Sequence, residues 1–356
     1  MIKVLIADDS VVFRHVLSDV LGSLPDVEVV GQASDGKQAV QKVAALKPDL
    51  VTLDMEMPEM DGLTVLDTLR DAGTLPAVIV VSSLTQEGGW LTMQALQKGA
   101  LDFITKPDTT NAEASRKAMS DELVPRLRAL APKLSVKPTL GGQPQAAPVT
   151  PSATAQPLPR RPSSIDKPEM ILIGVSTGGP NALAELLPAL PANLGLPIFI
   201  VQHMPPIFTH TLAQSLDGKC QLTVAEAQDK SVAAPNHVYV APGGRQMRLG
   251  TGANGRPIIQ ITDDPPENNC RPAVDYLFRS AANHFPGKSL AVILTGMGSD
   301  GTLGLRLLKR HGCYVIAQDE ASSVVYGMPK AARTAGVVDT VQPLDNIAAA
   351  IVAGCR

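Results

Sequence analysis

Short, continuous apolar runs punctuate the first third of the chain, at Ile2–Ala7, residues 27–31, Leu50–Asp54, Ala77–Ser82 and Asp102–Thr105. Between them apolar residues recur every three or four positions, the period of a helix with one buried face. The pattern predicts five βα units. Uninterrupted apolar strands such as KVLIA and AVIVV suit a parallel sheet covered on both faces, and right-handed crossovers then give a doubly wound α/β domain. The same alternation returns later with MILIGV, LPIFIVQH, NHVYVAP, SLAVILTG, CYVIAQ and GVVDTV, which predicts a second α/β domain. Residues 222–262 lack helical periodicity and read as a hairpin in place of another crossover.

Between the two patterns, residues 131–168 hold 9 of the chain's 30 prolines and no aromatic residue. Such a stretch buries too little apolar surface to offset its ordering entropy, and its prolines favour an extended path. The expected organisation is therefore a domain over 1–125, a Pro-rich linker over 126–167 and a second domain over 168–356. A chain of 356 residues with 44% apolar side chains can fill two cores. Its 31 basic and 34 acidic residues are nearly balanced, which removes general attraction to nucleic acid or anionic lipid as a basis for function. The four cysteines form no C-x-x-C pair, so neither a disulfide framework nor a structural zinc site is expected. No apolar stretch reaches transmembrane length and the N-terminus does not read as a signal peptide. A soluble cytoplasmic protein is the expectation.

Asp8 and Asp9 close the first strand, and Asp54 closes the third. In a doubly wound sheet the carboxyl ends of the strands share one edge, where ligands bind. Clustered carboxylates repel unless a cation neutralises them, and an all-oxygen site suits Mg²⁺ or Mn²⁺. Ser82 ends the fourth strand and Lys106 follows the fifth, on the same edge. Singly, each is a common cap or turn residue; in this order they form a site able to accept and stabilise a phosphoryl group. The region resembles response-regulator receiver domains over about residues 1–125. That resemblance implies a flavodoxin-like fold with Asp54 as phosphoacceptor. It also implies metal binding by Asp8, Asp9, Asp54 and the Glu56 backbone carbonyl, and phosphoryl contacts from Ser82 and Lys106. The aromatic switch position of receivers falls on Phe103 or Ile104.

In the second domain, the stretch GVSTGGP puts Ser176 directly after an apolar strand with G-x-S-x-G spacing, in which small neighbours let a tight turn present Oγ. Glycines at such a turn can equally cradle a phosphate. The next strand ends in His203, and Asp300 lies in the glycine-rich loop after SLAVILTG, so all three converge on one edge. A serine hydroxyl becomes a good nucleophile when an imidazole takes its proton and a carboxylate orients that imidazole. The order Ser, His, Asp along the chain differs from that of α/β-hydrolases. The backbone N–H groups of Thr177 and Met297 are the expected oxyanion donors. The remaining histidines read as structural, and Cys270 reads as a non-nucleophile because no histidine accompanies it in sequence.

The stretches GVSTGGP, VQHMPPIFT, VYVAPGG, RPAVDYLFRSAA, LTGMGSDG and VYGMPKAA together resemble the chemotaxis-receptor methylesterase family over about residues 168–350. The resemblance implies a Rossmann-like catalytic domain that hydrolyses glutamyl methyl esters of methyl-accepting chemotaxis receptors and often deamidates receptor glutamines. It needs no cofactor for the ester chemistry. A chemotaxis histidine kinase would be the phosphodonor, with no nucleic-acid partner and no membrane insertion. The family often carries His where Gln246 sits, and a basic or His residue where Cys270 sits; neither position is expected to touch the triad. The competing expectation is a phosphorylation-gated adaptor that has kept the fold without catalysis.

Overall fold

The structure, a computed structural model, describes residues 1–109, 111–134 and 167–355. The first domain alternates β1 (Ile2–Ala7), α1 (Val11–Gly22), β2 (Val27–Ala33), α2 (Gly36–Leu46), β3 (Leu50–Asp54), α3 (Gly62–Asp71), β4 (Ala77–Ser82), α4 (Gln86–Gln97), β5 (Asp102–Thr105) and α5 (Ala112–Leu134). Its parallel sheet runs β2-β1-β3-β4-β5. The first four helices start at side-chain caps, Ser10, Asp35, Asp61 and Thr85, each worth about 1 kcal/mol. Strand order reverses between β1 and β3, and there Asp8 and Asp54 emerge.

α5 continues to Leu134, well into the segment expected to be linker from residue 126. The reason is tertiary: Met119, Leu123, Leu127 and Leu130 recur at helical spacing, are fully buried, and pack with Val16, Leu17, Val20 and Leu21 of α1. That burial carries the helix through Pro125 and Pro132, although each proline removes a backbone donor. The rest of the expected linker, residues 135–166, lies outside the described residues.

The second domain contains β6 (Met170–Val175), α6 (Gly179–Leu186), β7 (Ile198–Gln202), α7 (Phe208–Asp217), β8 (Thr223–Glu226), β9 (His237–Val240), β10 (Gln246–Thr251), β11 (Pro257–Thr262), α8 (Val274–His284), β12 (Ser289–Ile293), α9 (Thr302–Arg310), β13 (Tyr314–Gln318), α10 (Met328–Thr334), β14 (Thr340–Gln342) and α11 (Leu344–Cys355). The seven-stranded sheet runs β14-β13-β12-β6-β7-β9-β8 with parallel pairing throughout. The chain leaves β6 towards β7 on one side and later returns through β12 on the other, so β6 and β12 flank the switch point. The hairpin expected over residues 222–262 exists only in its second half, where β10 and β11 pair antiparallel as a separate ribbon. β8 and β9 instead extend the main sheet in parallel beyond β7. β9 shows as the apolar run of NHVYVAP, but β8 is only four residues long with half of them exposed, and no helix between the two signals a parallel connection.

The domains meet along α4, β5 and the end of α5. Phe103 of β5 stacks on Phe208 of α7 with ring centroids 4.5 Å apart. Gln97 Nε2 donates to Ser215 Oγ at 2.7 Å and Asn181 Nδ2 donates to the Ala100 carbonyl at 3.0 Å. Lys133 Nζ donates to the Ser323 carbonyl, and the neighbouring Val324 and Val325 join the apolar cluster that contains Leu130. Among the described residues no helix is long and apolar enough to cross a membrane.

Candidate active site

At the first switch point Lys106 Nζ bridges Asp54 Oδ2 at 2.7 Å and Asp8 Oδ2 at 3.1 Å. Asp8 and Asp54 are buried, whereas Asp9 is exposed. Burial pushes the Asp54 pKa up to about 6 against the opposing pull of Lys106, and burial also raises Asp8. Asp8 Oδ1 accepts the Ser10 N–H, but buried Oδ2 has no hydrogen-bond donor of proper geometry besides its ion pair with Lys106. Ligand oxygens of Asp8, Asp9 and Asp54 lie within 4.8 Å of one another. An under-satisfied buried carboxylate oxygen in an all-oxygen cluster fits a hard divalent cation. Glu56 stands beside the cluster: its N–H donates to Asp54 Oδ1 at 3.3 Å, and its carboxylate accepts from Ser83 Oγ. The Ser82 hydroxyl is committed elsewhere, donating to the Gly88 carbonyl and accepting from Thr92 Oγ1 at 2.7 Å.

At the second switch point the sheet register sets the geometry. Val175 pairs with Gln202 and Gly174 with both Val201 and Ile293, so Ser176 and His203 leave adjacent strands side by side. The Ser176 N–H donates to the Thr295 carbonyl at 3.0 Å, and its carbonyl accepts from Gly179 N and Gln202 Nε2. Gly178 opens α6 at φ +76°, and a Cβ there would stand 2.5 Å from Val324 Cβ. A Cβ on Gly296 would stand 2.8 Å from the Ser176 Cβ. Among the described residues, the N–H groups of Thr177 and Met297 have no acceptor, and Met297 is 38% exposed. Free donors flanking Ser176 are what an oxyanion requires.

His203 Nε2 and Asp300 Oδ2 are 2.8 Å apart. Asp300 also accepts the N–H groups of Val274, Asp275 and Gly301 and the side-chain amide of Asn268. Burial works against its charge, but the bond from His203, the His203 charge and these N–H groups hold its pKa below the ordinary carboxylate value. For His203, burial pulls downward, yet the bonds to Asp300 and Cys270 push the pKa up to about 9. With Nε2 held by a carboxylate, Nδ1 is the nitrogen available to a hydroxyl. Ser176 Oγ itself makes no hydrogen bond to His203 here.

Cys270 corrects the sequence reading. Its Sγ lies 3.6 Å from His203 Nδ1, although no histidine is near it in sequence, because the 263–273 loop folds back over the β7 end. Gln246, fully buried, holds that loop by donating to the Pro265 and Cys270 carbonyls and accepting from Ala273 N. None of these hydrogen bonds goes to a triad residue itself. Sequence reasoning also missed Asn268 and Asp275. Asp275 accepts from Gly304 N and Asn268 Nδ2, and burial raises its pKa to about 6. The acidic residue three positions after Pro272, in the first turn of α8, was the available signal.

Two switch points, one acidic and one built around an imidazole, place the molecule in the class of response-regulator hydrolases. Residues 171–351 match the CheB methylesterase family model and residues 4–114 the response regulator receiver domain model. The chain belongs to the protein-glutamate methylesterase/protein-glutamine glutaminase family. A protein of that name from Desulfotalea psychrophila is 45% identical, over 99% of this chain and 98% of its own. One from Thermotoga maritima is 42% identical over 98% and 96%. The crystal structure of the Thermotoga maritima CheB methylesterase catalytic domain is 43% identical and superposes with a TM-score of 0.51. It covers 52% of this chain and 98% of its own.

Proposed function

We propose that this protein removes methyl esters from glutamyl side chains of methyl-accepting chemotaxis receptors, and deamidates their glutamines, under control of phosphorylation at Asp54. The observation that carries the reading is the Asp300–His203 pair at the carboxyl end of β7, beside the Ser176 turn. Ser176 Oγ attacks the ester carbonyl while His203 Nδ1 takes its proton, and Asp300 stabilises the imidazolium. The N–H groups of Thr177 and Met297 receive the developing oxyanion. His203 returns the proton to the leaving methanol, or to ammonia from a glutamine. Water, deprotonated by the same nitrogen, then releases glutamate and regenerates Ser176.

In the receiver, Asp8, Asp9, Asp54 and the Glu56 carbonyl would hold Mg²⁺ or Mn²⁺, which supplies charge neutralisation for the phosphoryl group. Lys106 sits between Asp8 and Asp54 to contact that group, and Ser82 reaches it once its hydroxyl leaves the Gly88 carbonyl. A chemotaxis histidine kinase is the phosphodonor. α4 and β5 lean on α6 and α7, the helices that follow Ser176 and His203. Phosphorylation weakens this contact and shifts the population towards an open catalytic cleft.

Methanol release from methyl-labelled receptor membranes tests this directly. Release is expected to vanish in Ser176→Ala, and stimulation by a small phosphodonor with Mg²⁺ to vanish in Asp54→Asn. Undiminished release from Ser176→Ala overturns the nucleophile assignment, and an Asp54→Asn protein that still responds overturns the control.

A further inference from the structure

Two side chains grip the His203 imidazole from different sides. Asp300 Oδ2 takes Nε2 at 2.8 Å, and Cys270 Sγ stands 3.6 Å from Nδ1. Because a carboxylate only accepts, Nε2 keeps its hydrogen in the neutral ring, and it is Nδ1 that then presents a lone pair towards the sulfur. Tetrahedral zinc, with bonds of about 2.3 Å to sulfur and 2.0–2.1 Å to nitrogen, separates those two ligand atoms by about 3.6 Å. The pair therefore already stands at chelating distance. Donor atoms of His203, Cys270 and Asp300 lie within 4.8 Å of one another, and both His203 and Cys270 are part-exposed, so an ion can enter from solvent. Asp300 also supplies the outer carboxylate that commonly orients a zinc-bound imidazole.

We propose that His203 Nδ1 and Cys270 Sγ form a binding site for a soft divalent cation, Zn²⁺ foremost, whose occupancy stops hydrolysis. On binding, the Cys270 thiol and the protonated His203 Nδ1 each lose a proton to solvent, the sulfur–metal and nitrogen–metal bonds form, and water fills the open positions. The metal occupies the lone pair that must take the Ser176 proton, so the nucleophile loses its base. Hard Mg²⁺ prefers the oxygen cluster of Asp8, Asp9 and Asp54, so the two sites separate by ligand chemistry. Metal binding here stands independently of the proposed hydrolysis; the inhibition rests on it.

The test uses the full chain in excess Mg²⁺. Co²⁺ titration is expected to give a near-ultraviolet thiolate-to-cobalt band that saturates at one equivalent and is displaced by Zn²⁺. Zinc is expected to slow iodoacetamide labelling of Cys270 in the wild-type chain, read by mass spectrometry. Cys270→Ser and Cys270→Ala should lose the band and need at least about 10–100-fold more zinc for half inhibition, the cost of losing even an outer partner of a metal ligand, while Cys220→Ser keeps both. No band together with zinc-insensitive labelling of Cys270 overturns the site, and so does a Cys270→Ala enzyme as zinc-sensitive as the wild type. A Cys270-dependent band in a chain that shows no Ser176-dependent hydrolysis without zinc overturns the inhibitory role and the hydrolysis reading, while the metal site stands.

Discussion

Asp300 is the most heavily hydrogen-bonded carboxylate of the second domain, taking three backbone N–H groups, the Asn268 amide and His203. That many donors fix one carboxylate position and, through it, one imidazole orientation. The folded pKa of His203, about 9, lies above its ordinary 6.5. The protonated pair's stabilisation is therefore complete below pH 6.5 and is lost as pH climbs through 9. The neutral imidazole that serves as base appears over the same interval. Hydrolysis by the unphosphorylated chain, measured with trace metals chelated, is expected to climb with pH to a plateau above about 9; a flat profile across that range contradicts it. Asp300→Asn should lower kcat by about 10⁴-fold and move the rise towards lower pH. Ser176, His203 and Asp300 were legible as residues because each follows an apolar strand. Cys270 was not, because only the fold of a loop brings it to the imidazole.

The β6–α6 turn decides whether Ser176 is presented at all. Gly178 occupies the left-handed region at φ +76° with Val324 packed over it, and a side chain there costs about 1–2 kcal/mol in backbone strain alone. Gly178→Ala is expected to reduce Ser176-dependent turnover by at least tenfold, the equivalent of about 1.4 kcal/mol. Far-UV circular dichroism and Asp54 phosphorylation should be unchanged; full turnover would show that the turn tolerates displacement. The central strands of both main sheets were readable as elements because fully buried parallel strands are continuously apolar, whereas the half-exposed edge strand β8 was not. α5 beyond residue 125 was not, since its prolines argue locally against a helix that only the packing of Leu127 and Leu130 sustains.

Across the whole molecule, one apolar cluster runs from Met93, Leu96 and Phe103 of the first domain into Leu183, Phe208 and Leu212 of the second. Of the two residues that the receiver resemblance offers as the switch position, Phe103 is seated on the helix that follows His203, while Ile104 faces the receiver's own core. An aromatic pair contributes about 0.5–1.5 kcal/mol beyond its buried area, so losing it should raise the open population roughly two- to tenfold. Phe103→Ala is expected to raise methanol release without phosphodonor by that factor, and deletion of residues 1–134 to raise it at least as far. Unchanged basal release in both would remove the autoinhibitory contact from the account.

The sequence by itself determined the alternation of central strands and helices and, through the fixed hand of parallel crossovers, which residues gather at each sheet's carboxyl edge. Those follow from local periodicity and a general steric preference. Only the tertiary structure decided that Asp300 takes Nε2 of His203 and leaves Nδ1, that Cys270 reaches Nδ1 from 67 residues away, and that β5 and α4 rest on α6 and α7. Such contacts depend on how side chains from distant segments fill shared space, and no local pattern records that.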